Sequence, residues 1–191
     1  MATDYSVEKL TDSKWLNLYE VTYTVKTGRP GKWTVASRKS HPIQDADIPD
    51  AVVIVPVVET VRGKRLVVTK EFRVPLWDYE YGFPAGLIDR DRTIEQVTAD
   101  ELKEETGLDL VRITHTSGCI YSSGGMTDES CIMVFVEAGG QISDEHLEEH
   151  EKIEAVLMDV PDLRELLDSG KKISAKAWGL FYHYCQIGKI Y

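Results

Sequence analysis

One predicted helix, over residues 94–106, constrains this chain more than any other part of its sequence, because its boundaries are clear and its charge pattern is unusual. Thr93 is placed to cap the first turn, and Gln96 three residues later completes a capping box. Gly107 follows the last turn, where a glycine can adopt the left-handed conformation that ends many helices. The faces on which the helical side chains lie can therefore be assigned.

Three acidic side chains crowd the last turns of this helix, with no basic residue beside them on that face. Glu101, Glu104 and Glu105 stand at positions i, i+3 and i+4, which are surface neighbours, and Lys103 points elsewhere. Like charges at these spacings repel, and the negative end of the helix dipole also disfavours anions. A bound cation would relieve both effects, and clustered carboxylate oxygens suit Mg²⁺ or Mn²⁺. The alternative interpretation is a solvated acidic helix end.

Composition excludes several classes of protein. The chain has 191 residues and a net charge of −10, which argues against binding to a nucleic-acid backbone. Its three cysteines include no C-x-x-C pair, so neither a disulfide framework nor a zinc ribbon is indicated. The N-terminus lacks the apolar run of a signal peptide, and the longest apolar run, residues 51–58, is too short to cross a membrane. We expect a cytoplasmic protein with a small-molecule ligand and no nucleic-acid or membrane partner.

The remaining pattern predicts an α+β fold. Residues 16–25 and 32–38 alternate like the strands of a hairpin, and the polar, proline-containing segment 39–50 is interpreted as a linker. Further strands are predicted at 51–58, 65–72, about 110–118 and 130–137, and further helices at 159–168 and 173–187. Strands and helices alternate too irregularly for a doubly wound fold. We therefore expect a mixed β-sheet sandwiched between helices, preceded by a small β-rich element.

The acidic helix lies inside a longer pattern that indicates a family. Residues 86–108, GLIDRDRTIEQVTADELKEETGL, resemble the Nudix box, G-x5-E-x7-R-E-U-x-E-E-x-G-U, in which U is aliphatic. The positions that match at the required spacing are Gly86, Glu101, Leu102, Glu104, Glu105, Gly107 and Leu108. Members of this family hydrolyse nucleoside diphosphates linked to another moiety, with divalent metal held by these glutamates. The resemblance implies a Nudix fold and a metal site at Glu101, Glu104 and Glu105, with the carbonyl of Ala85 as a further ligand.

Segments outside the box resemble the ADP-ribose pyrophosphatase branch of the family. The sequence FPAGLID before and into the box is one of them, and KEFRVP places Arg73 where that branch has an arginine that contacts phosphate. KWTVASRKS places Trp33 where a tryptophan stacks on adenine, and Arg38 where an arginine contacts the diphosphate. From the residues alone, a tryptophan on a strand, such as Trp33, is more often a core or interface aromatic than a platform for a base, and Arg73 could extend its charge from an apolar strand into solvent.

Two loops complete this resemblance. YSSGGMTDE resembles the S-P-G-x-T-x-E loop of the same enzymes, which implies that Glu129 contacts substrate. EEHEKIEAVLM resembles their E-x-E-x-I loop, in which an acid positions or deprotonates the attacking water. Glu149 and Glu151 are the matching positions, and Glu129 is a third candidate for handling the water. Without the resemblance, Glu149 would be assigned to a solvated, charged face.

The resemblance implies Mg²⁺-dependent (or Mn²⁺-dependent) hydrolysis of ADP-ribose to AMP and ribose 5-phosphate. It also implies a homodimer, in which residues 1–45 form the dimerising, adenine-contacting element and residues 46–191 the Nudix hydrolase domain. Trp33 would then reach the partner's site. Three alternatives stay open: hydrolysis of another sugar nucleotide or dinucleoside polyphosphate, a non-catalytic ADP-ribose or nucleotide sensor, and a structural or partner-binding module.

The sequence departs from the box at two positions. Arg92 stands where the box has Glu, and Asp100 stands where it has Arg. We interpret these residues as an ion pair of reversed polarity that leaves the metal glutamates in place; the alternatives are two unrelated surface charges, or a member that has lost activity. Gly82 also stands where the branch commonly has Glu, and Glu80, on the same strand face, is a candidate substitute.

Overall fold

The structure is a computed structural model that describes residues 4–89, 91–147 and 151–190. These residues divide into two compact units. The first runs from residue 4 to Asp50 and also includes Cys119–Cys131, whereas the second comprises Ala51–Gly118 and the chain from Ile132 onward. The domain boundary predicted at residue 45 stays a prediction, and the first unit takes in a later loop that the prediction did not connect with it.

The described elements include every strand and helix predicted above, together with shorter strands that the sequence pattern did not reveal. No helix in the described ranges is long and apolar enough to span a membrane. In chain order the elements are β1 (Tyr5–Lys9), β2 (Asn17–Thr24), β3 (Pro30–Ser37), β4 (Ala51–Thr60), β5 (Gly63–Arg73), a 3-10 turn (Val74–Leu76), β6 (Asp78–Gly82), β7 (Ala85–Leu87), α1 (Ile94–Thr106), β8 (Asp109–Tyr121), β9 (Ser130–Gly139), β10 (Ile153–Met158), α2 (Val160–Asp168), β11 (Lys172–Ile173) and α3 (Ala175–Ile187).

The first unit is built on a three-stranded antiparallel sheet in the order β1-β2-β3. Strands β2 and β3 form the predicted hairpin, with Val21 opposite Trp33. Tyr19 is buried in this unit, and its hydroxyl donates to the carbonyl oxygen of Lys39 at 3.0 Å. The predicted linker, residues 39–50, forms turns and bends rather than a strand or helix.

The second unit contains a sheet in the order β11-β6-β5-β4-β9-β8, with β10 paired to β5 and β7 paired to β4. β11 runs parallel to β6, whereas β5 is antiparallel to β4, β6 and β10, so the sheet is mixed. Residues 52–55 of β4 are buried without alternation, as expected for a strand covered on both faces. The predicted α+β fold, a mixed sheet with helices packed against it, is thereby confirmed.

Helix α1 has the start and end that its sequence predicts. The Thr93 hydroxyl accepts from the Gln96 backbone N–H at 3.2 Å, and the Gln96 side-chain oxygen accepts from the Thr93 N–H at 2.9 Å. Gly107 ends the helix with a φ of 74°, and a Cβ there would lie 2.6 Å from the backbone nitrogen of Ser143. Buried Val97 and Leu102 anchor α1 to the core, so its acidic face has a fixed orientation.

Candidate active site

Glu105 is the most buried of the predicted metal ligands, with only 7% of its surface exposed. Strand β7 pairs with β4 beside the helix, and the backbone N–H of Ala85 donates to Oε2 of Glu105 at 3.2 Å. Burial raises the pKa of Glu105 to about 9; the negative charge of Glu71 acts in the same direction, and the Ala85 hydrogen bond partly opposes it. The carboxyl is thus held where its negative charge is poorly compensated by the protein.

Glu101 shares this environment. Burial raises its pKa to about 7, and the charges of Glu104 and Glu151 add to the effect. Gly86 makes this placement possible, because a Cβ at that position would lie 1.9 Å from Cδ of Glu101. The glycine of the box therefore lets the Glu101 side chain lie directly against the backbone of β7.

A second group of charged residues lies on β5 and β6, and one member of it was missed by the sequence interpretation. Arg73 pairs with Glu71 at 2.6 Å and with Glu80 at 3.6 Å. Glu71 faces Glu80 across the two strands, and burial followed by its acidic neighbours keeps the pKa of Glu71 raised despite Arg73. The position of Glu71 two residues before Arg73 on a strand was the available signal, since such residues share a face.

These residues line one pocket together with part of β7. Glu80 and Gly82 both line it, which confirms that they share a strand face; whether Glu80 replaces the usual acid stays a prediction. The lining residues are Val53, Thr69, Glu71, Arg73, Glu80, Gly82, Phe83, Ala85, Ser174 and Lys176. Arg73 has five guanidinium N–H donors, so its two carboxylate partners leave donors for a ligand.

The two departures from the box contact each other. A guanidinium nitrogen of Arg92 pairs with the carboxylate of Asp100, and the same nitrogen donates to the backbone carbonyl of Gln96 at 3.2 Å. The predicted ion pair of reversed polarity is therefore present. The charge of Arg92 also partly offsets the burial that raises the pKa of Glu101, which corrects the expectation that the acids have no basic neighbour.

The donor atoms at this site suit a hard divalent cation, since they are carboxylate oxygens and at least two of them are desolvated and mutually repelling. Within the described ranges, no group of three or more His, Cys, Asp and Glu side chains has the geometry of a metal site. The suitability of these residues for a divalent cation therefore rests on the chemistry and charge of their oxygen atoms and not on preformed coordination geometry.

The predicted substrate contacts of the first unit also lie near one another. The Trp33 indole N–H donates to the Gly125 carbonyl at 3.2 Å, while 52% of the residue stays exposed, so Trp33 is not a core residue. Arg38 lies 3.8 Å from Glu129, and both side chains are more than a third exposed. The loop that carries Gly125 and Glu129 is the predicted YSSGGMTDE segment.

The three residues predicted as candidates for positioning or deprotonating the attacking water differ in where the structure places them. Glu149 lies outside the described residues. Glu151 adds to the raised pKa of Glu71, Glu101 and Glu105, after burial in each case, so its charge lies within reach of the acidic group. Glu129 pairs with Arg38 in the other unit.

The fold and its acidic helix are those of a Nudix hydrolase, and comparison with known proteins agrees. The model of the NUDIX domain matches residues 48–178, most of the chain, so the protein belongs to the Nudix family. A crystal structure of an ADP compounds hydrolase superposes with a TM-score of 0.71 at 20% identity, and the match covers 93% of this chain and 88% of that one.

Curated relatives carry more specific names. An ADP-ribose pyrophosphatase of Saccharomyces cerevisiae is 28% identical over 181 residues, covering 89% of this chain and 77% of the relative. An ADP-ribose pyrophosphatase of Bacillus subtilis is 26% identical over 171 residues, covering 88% of this chain and 84% of the relative. The protein is a Nudix hydrolase, a family that generally uses divalent metal.

The raised pKa values predict a pH-dependent stability for the metal-free protein. An unfolded glutamate titrates near 4.5, whereas folding raises the pKa of Glu105 to about 9, so between these values the folded chain retains a proton that the unfolded chain releases. The free energy of unfolding should therefore fall as pH rises through this window. Glu105→Gln should flatten the profile, because a neutral amide titrates nowhere in it. Thermal melts in chelator from pH 5 to 9 measure this.

Exposed Glu165 on α2 supplies the matched control for this experiment. Glu165→Gln should follow the wild-type profile. Mg²⁺ should stabilise the wild type and Glu165→Gln more than it stabilises Glu105→Gln. A wild-type profile that Glu105→Gln leaves unchanged would contradict the assignment of a buried, uncompensated charge.

The Arg92–Asp100 pair predicts a double-mutant cycle. Arg92→Glu places two acids together and Asp100→Arg places two arginines together, so each variant should lose stability. An exposed pair of this kind is worth about 0–1 kcal/mol, and Asp100 is 68% exposed. The double variant restores a pair of opposite charges, so it should recover much of the stability and much of the kcat that the two single variants lose. Strictly additive single effects would show that the two residues act independently.

Proposed function

We propose that this Nudix hydrolase cleaves the diphosphate of ADP-ribose, releasing AMP and ribose 5-phosphate, and that the reaction requires Mg²⁺ or Mn²⁺. The observation that carries the proposal is the desolvated carboxyl group of Glu105, which lies with Glu101 against β7. The relatives named ADP-ribose pyrophosphatase support the choice of substrate.

The metal site of the proposal consists of Glu101, Glu104 and Glu105 with the carbonyl oxygen of Ala85. A divalent cation bound there would supply charge neutralisation for the diphosphate and activation of water. In the net reaction the oxygen of water bonds to one phosphorus, and the P–O bond to the bridging oxygen breaks. The bridging oxygen leaves with the other phosphate, so one water is consumed for each pair of products.

Glu149 or Glu151 takes the proton from the attacking water. Glu151 has support from the structure, because its charge acts on Glu71, Glu101 and Glu105. A general base contributes roughly 10²–10⁴-fold to rate in enzymes.

Arginine side chains bind the phosphates in this proposal. Arg73 lines the pocket beside Ala85 and has donors beyond those used by its carboxylate partners. Arg38 is the corresponding candidate in the first unit. Planar guanidinium groups match phosphate oxygens with paired hydrogen bonds. Trp33 offers an exposed aromatic ring whose N–H is already bonded, which suits it to stacking on adenine.

The test is release of AMP from a panel that includes ADP-ribose, other nucleotide sugars and dinucleoside polyphosphates, with and without Mg²⁺. We expect ADP-ribose to be cleaved with Mg²⁺ or Mn²⁺ and protected by excess chelator. Glu104→Gln and Glu105→Gln should each remove most of the activity, and Glu165→Gln should remove none. Glu149→Gln and Glu151→Gln separate the two bases, since loss of the base should lower kcat by roughly 10²–10⁴-fold with little effect on binding.

The panel also distinguishes the alternative functions. Robust turnover in excess chelator would refute the metal requirement. Faster turnover of another panel member would move the substrate within the family. Nucleotide binding without hydrolysis of any member would instead indicate a sensor.

We also propose a homodimer in which Trp33 serves the partner's site. The first unit exposes several large apolar side chains on its strands and on the segment between β1 and β2, namely Tyr5, Leu10, Trp15, Leu16, Leu18 and Trp33. Trp33→Ala and Glu105→Gln chains, each inactive alone, should regain partial activity when subunits are exchanged, because one of the two mixed sites is then intact. A monomeric mass in solution with full activity at high dilution would refute the dimer.

A further inference from the structure

Arg38 and Glu129 lie on separate segments of the first unit, and a buried ion pair lies beside them. Lys39 Nζ is 3.2 Å from Oδ2 of Asp50, and the two side chains are only 8% and 11% exposed. By contrast, the side chains of Arg38 and Glu129 are 40% and 38% exposed. The exposed pair, Arg38 and Glu129, is a candidate to contact a ligand, and it therefore lies next to a pair that is largely shielded from solvent.

Both neighbours of Arg38 are bonded to the residue that precedes Glu129. The Ser37 hydroxyl donates to Oδ2 of Asp128 at 2.9 Å, and Lys39 Nζ donates to the Asp128 backbone carbonyl at 3.3 Å. The Lys39 backbone N–H donates to the Ser37 hydroxyl at 3.0 Å, which connects the two contacts. The residues on each side of Arg38 are thus bonded to the loop through their side chains.

Ser130, the residue that follows Glu129, is bonded to Asp50 of the buried ion pair. The Ser130 backbone N–H donates to Oδ2 of Asp50 at 2.9 Å, and the Ser130 hydroxyl donates to that oxygen at 3.3 Å. The Asp50 backbone N–H donates in turn to the Ser130 carbonyl at 2.9 Å. One carboxylate oxygen of Asp50 therefore lies at the junction of Lys39 and Ser130.

Stability alone is a weak reason for such a pair, because a buried ion pair can often be replaced by well-packed apolar residues without loss of stability. What the pair provides is direction: charge-assisted hydrogen bonds of Lys39 and Asp50 require specific partners at specific distances. Those partners are the backbone groups that flank Glu129.

We propose that Lys39 and Asp50 are positioning residues, which set the separation and orientation of Arg38 and Glu129 for the substrate without contacting it. This rests on the proposed function in one respect, namely that Arg38 and Glu129 contact the nucleotide. The ends of the segment 39–50, which the sequence pattern indicates as a linker, then serve as the fixed base of a ligand-binding pair.

The test uses a double variant, Lys39→Met with Asp50→Leu, because changing either residue alone leaves a buried charge without its partner and endangers folding. We expect a folded protein whose KM for ADP-ribose is roughly 5- to 50-fold higher, with kcat within about threefold of the wild type. A purely structural pair would leave KM unchanged once thermal melts show the variant to be folded, and that result would overturn the proposal.

Two further variants make the result specific. In a background of Arg38→Ala with Glu129→Gln the double substitution should change KM little, because both contacts that it positions are already gone, whereas a full additional increase would overturn the proposal. Lys32→Met with Glu20→Leu removes another ion pair from the same unit and should leave KM unchanged. A KM increase of the same size in that control would likewise count against it.

Backbone hydrogen exchange separates this inference from the proposed function, since it requires no substrate. In the Lys39→Met, Asp50→Leu variant, exchange should rise over residues 122–130 while α1 stays protected as in the wild type. Unchanged exchange over that loop would overturn the positioning role whatever the activity. If the wild type neither binds nor cleaves ADP-ribose, the proposed function is refuted. Raised exchange in the variant would in that case still support the role of Lys39 and Asp50 in holding the loop.

Discussion

The contact between α1 and the short strand β7 is the constraint on which the site depends. Ala85 donates its backbone N–H to Glu105, and Gly86 leaves the space that Glu101 occupies. Both contacts require α1 to lie at one height and one rotation over β7. The capping box at Thr93 and the left-handed Gly107 set the ends of the helix, and the core contacts of Leu102 set its rotation.

This arrangement opposes stability in the metal-free protein. Burial raises the pKa of Glu105 to about 9 and that of Glu101 to about 7, so deprotonating either carboxyl in the folded chain costs free energy. Enzymes concentrate such perturbed groups where chemistry is done. A ligand that binds only the folded state recovers stability by mass action, and a divalent cation is the kind of ligand that this charge suits.

Pairs of opposite charges have different effects on the available charge in the two units. Near the acids, Arg92 and Arg73 reduce the negative charge without cancelling it, since Glu101 and Glu71 keep raised pKa values. In the first unit, Lys39 and Asp50 satisfy each other in a buried network with backbone partners on both sides. The first arrangement leaves charge available to a ligand, and the second leaves none.

Sequence alone determined the parts of this protein that depend on local spacing. The ends of α1 and the grouping of its three acids follow from intervals of a few residues, where helix geometry leaves little freedom. The pairing of Arg92 with Asp100 was inferred instead from the resemblance to the Nudix box, in which these two positions carry the opposite charges. The Nudix box added a fold, because its spacing is specific to one loop, helix and cap. The short strands β1, β7, β10 and β11 escaped prediction, since two to six residues carry too little periodicity to identify a strand.

Only the tertiary structure decided which distant residues meet. Glu71 was not a candidate from sequence, because its role comes from burial and from facing Glu80 on another strand. Lys39 and Asp50 read as the polar ends of a linker, yet they converge on a loop some eighty residues further along the chain. Burial and cross-chain contact arise from packing between segments, and no interval along the sequence encodes them directly.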